Sequence, residues 1–220
     1  MRKIYLAPSI LTCPKELVAK KLEEIGNNAD FLHFDVMDGV FVPKKSFDSE
    51  FLACVSKHHN LVNDVHLMVA NPNEMVESFA KNGADFITVH VEAFDSDEKL
   101  IECVNNIHSF GCKAGISIKP KTPVWTILPL LDKVEMILVM SVEPGLGGQK
   151  FMDHSLEKIK ELRNYIDAKH LNVLIEVDGG INVETCKKVV DAGIDVIVSG
   201  SFIFDHDNVV DRIKLLKVWE

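Results

Sequence analysis

The chain has 220 residues, of which 47% are hydrophobic and 26% charged, and its formal net charge is −9 at pH 7. This length and composition suit one globular domain with a substantial core. The negative net charge argues against nucleic acid and against anionic membranes as partners.

Neither a membrane span nor an export signal is expected from the sequence. No apolar run reaches the roughly 18 residues that a span needs, and residues 1–8 lack the apolar region and cleavage site of a signal peptide. The five cysteines form no Cys-x-x-Cys pair, so we expect reduced thiols in a cytoplasmic protein. We also expect a homo-oligomer, whose size the sequence does not fix.

Short β-rich runs alternate with amphipathic helical stretches along the chain. The predicted strands are residues 4–9, 31–37, 61–69, 85–91, 113–118, 136–142, 173–178 and 194–199. The predicted helices are residues 14–25, 48–58, 73–81, 96–110, 123–131, 155–169, 183–192 and 208–218. Eight βα units without a linker predict an α/β fold, a (β/α)8 TIM barrel that forms a single catalytic domain over residues 1–220. A doubly wound open sheet is the alternative, and it is disfavoured because no Gly-x-Gly-x-x-Gly follows the first strand.

Polar residues interrupt four predicted strands near their C-terminal ends. Alternate residues of a strand share a face, and strands buried on both faces are normally apolar. Along each of these strands the polar residues alternate with apolar ones, so the two kinds lie on opposite faces. We expect the polar side chains to face the barrel interior at its mouth, where active sites of this fold lie. They are His33 and Asp35, His66, Thr88 and His90, and Glu176 and Asp178, with Met68 beside them.

Two imidazoles and two carboxylates of this set point to a metal site. A buried charge is costly unless it is paired or bound to a metal, and two nitrogens with two oxygens suit one divalent cation. The four residues are His33, Asp35, His66 and Asp178. The weaker alternative is four separate polar residues, each hydrogen-bonded locally. Zinc, iron(II), manganese and cobalt all suit such ligands, so the metal stays open.

Glycine-rich turns follow three consecutive predicted strands. Residues 143–149 read EPGLGGQ, Gly179 and Gly180 follow the seventh strand, and Gly200 and Ser201 follow the eighth. Glycine lets backbone amides approach an anion closely, and phosphate sites in this fold often follow strands seven and eight. One glycine pair alone is better explained as a tight turn, but three in consecutive units favour a phosphate site, with the longest turn also serving as a lid.

Several motifs, spread over nearly the whole chain, carry a resemblance to a known family. They are LAPSIL at 6–11, HFDVMDG at 33–39 with FVP at 41–43, DVHLM at 64–68, VMSVEPG at 139–145 with GGQ at 147–149, and EVDGGI at 176–181. Together they resemble the ribulose-phosphate 3-epimerase family. The pattern departs from that family at Lys44-Lys45 and at Leu146, where phenylalanine is usual.

The resemblance implies a role for each matching residue. His33, Asp35, His66 and Asp178 would bind one divalent metal, and the two aspartates would be the catalytic acid and base. Ser9 and His66 would contact the substrate, and Met37, Met68 and Met140 would line the pocket. The phosphate end would be surrounded by Gly145, Gly147, Gly148, Gly179, Gly180, Gly200 and Ser201.

The implied reaction is the interconversion of D-ribulose 5-phosphate and D-xylulose 5-phosphate, a step of the pentose phosphate pathway. Asp35 and Asp178 would exchange protons at C3 through a metal-stabilised cis-enediolate. The two departures leave open a hexulose 6-phosphate, such as allulose 6-phosphate, as substrate. A carbon–carbon lyase or decarboxylase is disfavoured because residues 35–38 contain no lysine. A non-catalytic sugar-phosphate-binding barrel is the more distant alternative.

Two further polar residues, Glu176 and His90, are each open to two interpretations. Glu176, one layer below Asp178, either orients a metal ligand or is a buried carboxylate paired elsewhere. For His90 we favour a role in closing the mouth over contact with the substrate.

Overall fold

The computed structural model describes residues 2–217 and 219. Its eight strands are β1 Tyr5–Pro8, β2 Phe31–Met37, β3 Val62–Met68, β4 Phe86–His90, β5 Lys113–Ile118, β6 Met136–Met140, β7 Leu174–Asp178 and β8 Val196–Ser199. The α-helices are α1 Lys15–Ile25, α2 Ser49–Val55, α3 Val76–Lys81, α4 Asp97–Ser109, α5 Ser155–Lys169, α6 Val183–Ala192, α7 Ser201–Phe204 and α8 Val209–Leu216.

The strands form one parallel sheet that is rolled into a barrel. Hydrogen-bonded neighbours follow the order β1-β8-β7-β6-β5-β4-β3-β2, and β1 meets β2 at a parallel bridge between Ser9 and His33. This arrangement confirms the predicted (β/α)8 barrel, and the open-sheet alternative is wrong. All carboxyl ends of the strands therefore lie at one rim.

The two faces of each strand pack as the parity of the sequence predicts. Outward-facing side chains, such as Phe34 on β2 and Val65 on β3, join one large buried cluster with the helices. Inward-facing side chains at the N-terminal end of the strands form a separate apolar cluster inside the barrel. Its buried members are Ala7, Phe31, Phe86, Met136, Val196 and Val198. The apolar surface thus removed from water stabilises the fold.

Local sequence signals explain where several helices begin and end. Ser96 caps the N-terminus of α4, where its side chain accepts a hydrogen bond from the backbone N–H of Lys99. Asn182 and Thr185 form a capping box at the start of α6. Gly193, with a φ of 103°, ends α6 in a left-handed conformation that glycine adopts without strain. These signals fix ends of α4 and α6 and so the lengths of the turns that connect these helices to the neighbouring strands.

One predicted helix is wrong. Residues 123–131 were expected to form an α-helix, but the chain there forms two 3-10 segments, Val124–Thr126 and Leu128–Lys133. Pro129 explains the difference, because proline donates no backbone hydrogen bond and its ring clashes with the carbonyl four residues earlier in an α-helix. The helix α7, Ser201–Phe204, was not predicted, since four residues are too short to show a helical period.

Other boundaries differ by a few residues. The predicted helix 73–81 begins as a 3-10 turn, Pro72–Glu74, before α3, and the predicted helix 48–58 ends as a 3-10 turn, Ser56–His58, after α2. The last helix ends at Leu216, and its predicted final residue, Val218, lies outside the described residues. Within the described part of the chain, the helices are too short or too polar to span a bilayer.

Candidate active site

Three strands bring four polar side chains to one point on the rim. His33 and Asp35 come from β2, His66 from β3 and Asp178 from β7. Each offers one nitrogen or oxygen atom, and these four atoms all lie within 4.8 Å of one another. The two histidines are fully buried and Asp35 is 2% exposed. The structure therefore gathers the four predicted ligands into one cluster with two nitrogens and two oxygens.

Asp35 lies at the centre of this cluster. Its Oδ2 accepts a hydrogen bond of 2.8 Å from Oγ of Ser9. Its Oδ1 lies 3.0 Å from Nδ1 of His66 and 3.4 Å from Nε2 of His33. The carboxylate is thus held on one side by Ser9, the residue that follows β1, and faces both imidazoles on the other.

His33 is held from below by a second layer of acids. Its Nδ1 lies 2.5 Å from Oδ2 of Asp64 and 3.6 Å from Oε1 of Glu176. A carboxylate on one ring nitrogen fixes the orientation of the imidazole and the position of its proton. The other nitrogen, Nε2, is buried and has no hydrogen-bond partner among the described residues.

The unpartnered Nε2 of His33 fits a bound cation. A buried polar atom without a partner is costly, and a lone pair aimed at two carboxylates and a second imidazole suits a divalent metal. The predicted ligand set therefore matches an observed feature of the site.

Burial and neighbouring charges push the acidities of the two aspartates apart. Burial raises the pKa of the Asp178 carboxyl to about 6, and the nearby Asp35 charge raises it in the same direction. Burial also raises the pKa of Asp35, but the imidazoles of His33 and His66 that face it outweigh burial and hold that pKa well below its usual range. Such a pair combines an ionised carboxylate with one that can be protonated near neutral pH.

Glu176 lies deeper in the barrel and has a different character. Burial, reinforced by the charge of Asp64, holds the pKa of Glu176 well above its usual range. Neither of its side-chain oxygens has a hydrogen-bond partner among the described residues. Its Oε1 lies 3.6 Å from Nδ1 of His33. This position supports the interpretation that Glu176 orients a ligand, one of the two that the sequence left open.

A cavity extends from the two aspartates along the glycine-rich turns. Its lining includes Asp35, Asp178 and Ser9, together with Leu146 and Gln149 of the turn after β6. Six of the residues predicted around the phosphate also line it, namely Gly147, Gly148, Gly179, Gly180, Gly200 and Ser201. The seventh, Gly145, lines a neighbouring groove together with Lys44 and Lys45.

Two of these glycines are required by close approach. At Gly180, whose φ is 66°, a side chain would collide with the backbone of Phe151. At Gly147, a Cβ atom would lie 2.6 Å from Cγ2 of Thr12. The absence of side chains keeps the turns after β6 and β7 against their neighbours and leaves their backbone amides close to the cavity.

A family model, described as the ribulose-phosphate 3 epimerase family, matches residues 5–204. The chain belongs to the ribulose-phosphate 3-epimerase family. It is therefore an isomerase of the epimerase type.

Relatives of similar length support this assignment. The ribulose-phosphate 3-epimerase of Treponema pallidum is 40% identical over 204 residues, which cover 92% of each chain. That of Bacillus subtilis is 39% identical over 215 residues, covering 97% of this chain and 96% of the relative. Among solved structures, KGPDC from Streptococcus mutans has a TM-score of 0.74 at 14% identity and covers 98% of this chain and 96% of its own, which concerns the fold alone.

The methionines that the epimerase resemblance places in the pocket lie at the barrel mouth in two groups. Met37 and Met68 pack with Val42 under the turn after β2. Met140 packs with Leu138 and Val142 on the other side. None of the three is among the residues that line the glycine-rich cavity, so they would form apolar walls beside it.

The structure adds two residues to the candidate site that the sequence analysis did not assign, Thr12 and Asp64. Thr12 lines the cavity, and its buried hydroxyl has no partner among the described residues. Asp64 contacts His33. Asp64 stands two residues before His66 and so shares its inward face of the strand, which is the sequence signal that could have identified it. His90 lies against His66, with 2.9 Å between the Nε2 atoms. The predicted role of closing the mouth does not account for this contact.

Proposed function

We propose that this protein interconverts D-ribulose 5-phosphate and D-xylulose 5-phosphate by metal-dependent epimerisation at C3. The observation that carries the proposal is the convergence of two imidazoles with Asp35 and Asp178, two aspartates that also line the glycine-rich cavity. The names of the relatives, at about 38–40% identity over nearly the whole chain, support the same substrate.

His33, through Nε2, and His66, through Nδ1, would hold one divalent ion together with Asp35 and Asp178. Zinc, iron(II), manganese and cobalt all suit this donor set. When bound, the ion would supply Lewis-acid stabilisation of the negative charge that develops on the C2 and C3 oxygens of the ketose.

The two aspartates would move the protons. Inversion at C3 requires that a proton leave one face of the carbon and that another return to the opposite face. Asp35, whose pKa is held low, would remove the proton as the ionised base, and Asp178, whose pKa is raised to about 6, would donate from the other side. The reverse reaction would exchange these roles. The hydrogen bond from Ser9 would keep Asp35 oriented toward the substrate.

The glycine-rich turns would bind the phosphate end of the substrate. The chain has only three arginines, Arg2, Arg163 and Arg212, and none lines the cavity. Backbone amides of the turns after β6, β7 and β8 would therefore serve as donors, in the manner of other anion-binding turns. Met37 and Met68 would offer apolar walls that bring no competing proton donor.

One specific observation favours a second candidate substrate, a hexulose 6-phosphate. Leu146 lines the cavity and is 51% exposed. Lys44 and Lys45 line the groove next to it. These departures from the family pattern lie at the mouth. They would therefore affect the space and the charge around a longer sugar, and not the proton transfer itself.

The test compares both substrates with and without metal. Wild-type protein is freed of metal by chelation and restored in turn with zinc, iron(II), manganese and cobalt. We expect no turnover of D-ribulose 5-phosphate without metal, recovery with at least one ion, and a lower kcat/KM for allulose 6-phosphate. A higher kcat/KM for the hexulose would favour the second substrate. No turnover in any state would indicate a binding protein, and products of carbon–carbon cleavage would indicate a lyase.

A further inference from the structure

The two histidines of the site are held in different ways. His33 contacts a carboxylate directly through Nδ1, which is the usual arrangement for a metal-binding imidazole. His66 has its Nδ1 toward Asp35 and its Nε2 toward another imidazole, with 2.9 Å between Nε2 of His66 and Nε2 of His90. Both rings are fully buried.

The contacts that run from Asp35 through His66 to His90 end at the carboxylate of Glu92. Nδ1 of His90 lies 3.0 Å from Oε2 of Glu92. The other oxygen of Glu92 accepts hydrogen bonds from the backbone N–H of Lys119, at 2.7 Å, and from the hydroxyl of Thr122. Glu92 thus receives donors on both oxygens and acts as an acceptor only.

The positions of the protons follow from these contacts. Because Glu92 accepts, Nδ1 of His90 carries a proton and donates it. The two facing Nε2 atoms can share only one proton, since two would collide and none would leave two lone pairs opposed. With Nδ1 of His90 protonated, the neutral ring accepts at Nε2, so the shared proton belongs to Nε2 of His66. The nitrogen of His66 left for coordination is then Nδ1, which faces Asp35.

We propose that His90 and Glu92 are positioning residues that keep a proton on Nε2 of His66 and so reserve its Nδ1 for the metal. The inference deepens the proposed function and rests on its metal site. The opposite tautomer of His66 would put a proton on Nδ1, only 3.0 Å from Asp35, where it would occupy the place of the cation.

His66, His90 and Glu92 form what we call the relay. The residues around the relay keep it rigid and dry. The Phe41 ring lies 5.0 Å from the His90 ring, between centroids, and Nζ of Lys119 lies 3.9 Å from the centre of the Phe41 ring. Nζ of Lys158 donates to the carbonyls of Lys119 and Thr122, at 2.9 and 2.6 Å. The turn that supplies the donors to Glu92 is therefore tied to α5. Only the Glu92 side chain, 22% exposed, approaches solvent.

The first test measures metal affinity rather than activity. Cobalt(II) and zinc binding to the metal-free full-length protein are measured by competition with a chelator for wild type, Glu92→Gln and His90→Phe. Loss of a group that orients a metal-binding imidazole typically weakens metal affinity by roughly 10–100-fold, and we expect a loss in this range for Glu92→Gln. Glu23→Gln is the matched control, because Glu23 also pairs with a histidine, His58 at 2.8 Å, but on the exposed surface.

The second test locates the protons directly. Nitrogen-15 NMR of the imidazoles in metal-free and zinc-loaded wild type should show Nδ1 of His90 protonated, its Nε2 bare, and Nε2 of His66 protonated. In Glu92→Gln the amide can accept or donate, so this pattern should become mixed. A proton on Nε2 of His90 in wild type would overturn the proposal, whatever the affinity.

The outcomes separate the two proposals. If wild type binds the ion and Glu92→Gln and His90→Phe bind it equally well, the relay is overturned and the metal site stands. If wild type binds no divalent ion, the proposed metal site fails, and with it the purpose of the relay. Should His90→Phe not fold, Glu92→Gln still decides, because it changes a partly exposed side chain by one atom type.

Discussion

At the N-terminal ends of the strands, the barrel interior holds the rings of Phe31 and Phe86 packed among aliphatic side chains. Two residues farther along β2, the same inward face presents His33, and farther still Asp35. One end buries apolar surface and stabilises the protein, while the other buries ionisable groups at a cost. The contrast indicates that the stability gained at one end of a shared set of strands permits a polar site at the other.

The largest effect, on turnover, should come from substituting Asp178 at the polar end of the barrel. Asp178→Asn removes one of the two proposed proton-transfer groups, so turnover of D-ribulose 5-phosphate should fall by roughly 10²–10⁴-fold or more. The fold should survive, because burial already favours a neutral side chain there. A coupled assay for D-xylulose 5-phosphate and thermal unfolding by circular dichroism measure the two effects.

Asp153→Asn is the matched control, since Asp153 is an exposed carboxylate paired with Lys188 at the surface. Its turnover should equal that of wild type. Turnover of Asp178→Asn within tenfold of wild type would contradict the assignment of Asp178 as an acid–base residue.

The apolar end should respond in stability rather than in chemistry. Phe31 is 5% exposed and contacts the rings of Tyr5 and Phe86. Phe31→Ala should lower the free energy of unfolding by about 3–5 kcal/mol, measured by urea denaturation, while the folded fraction keeps its specific activity. Phe110→Ala, at a 38% exposed position, should cost less than about 1 kcal/mol. Equal effects of the two substitutions would remove the contrast between the barrel ends.

Glu92, beside the polar end of the barrel, should have a smaller effect on the free energy of unfolding, and this effect should depend on pH. Burial raises its pKa, but the hydrogen bond from His90, together with those from Thr122 and Lys119, outweighs burial and lowers the pKa to about 2. A lowered carboxyl pKa adds stability that is present above the pKa of the unfolded chain and disappears as the pH falls toward 2. The contribution is at most about 3 kcal/mol.

Unfolding free energies of metal-free wild type and Glu92→Gln, measured between pH 7 and pH 3, check this prediction. The advantage of wild type should be largest at neutral pH and shrink steadily below about pH 4.5. An advantage that stayed constant over this range would show that the carboxylate of Glu92 is not held by the contacts described.

The sequence predicts the barrel and the cluster at its rim because both depend on short-range patterns. The period of two in the strands assigns Phe34 and Val65 to the outer face and His33 and His66 to the inner one, as observed. Closure of eight parallel strands then brings β2, β3 and β7 to one rim. Parity and topology are therefore sufficient to gather four side chains from distant parts of the chain.

Features that depend on particular long-range contacts could not be predicted from the sequence. The contact between Asp64 and His33, and the chain from His66 through His90 to Glu92, depend on the register of β2, β3 and β4 and on side-chain orientation. The 3-10 segments at residues 124–133 reflect a proline whose effect the apolar period concealed. The short helix α7 has no period to detect.

The most direct test of the central claim follows hydrogen at C3 of the sugar. Metal-loaded wild type is incubated with D-ribulose 5-phosphate in deuterium oxide, and the C3 proton is observed by proton NMR. If Asp35 and Asp178 exchange protons with the substrate as proposed, D-xylulose 5-phosphate should form with deuterium at C3. Formation of D-xylulose 5-phosphate that retains the original C3 proton would contradict the account.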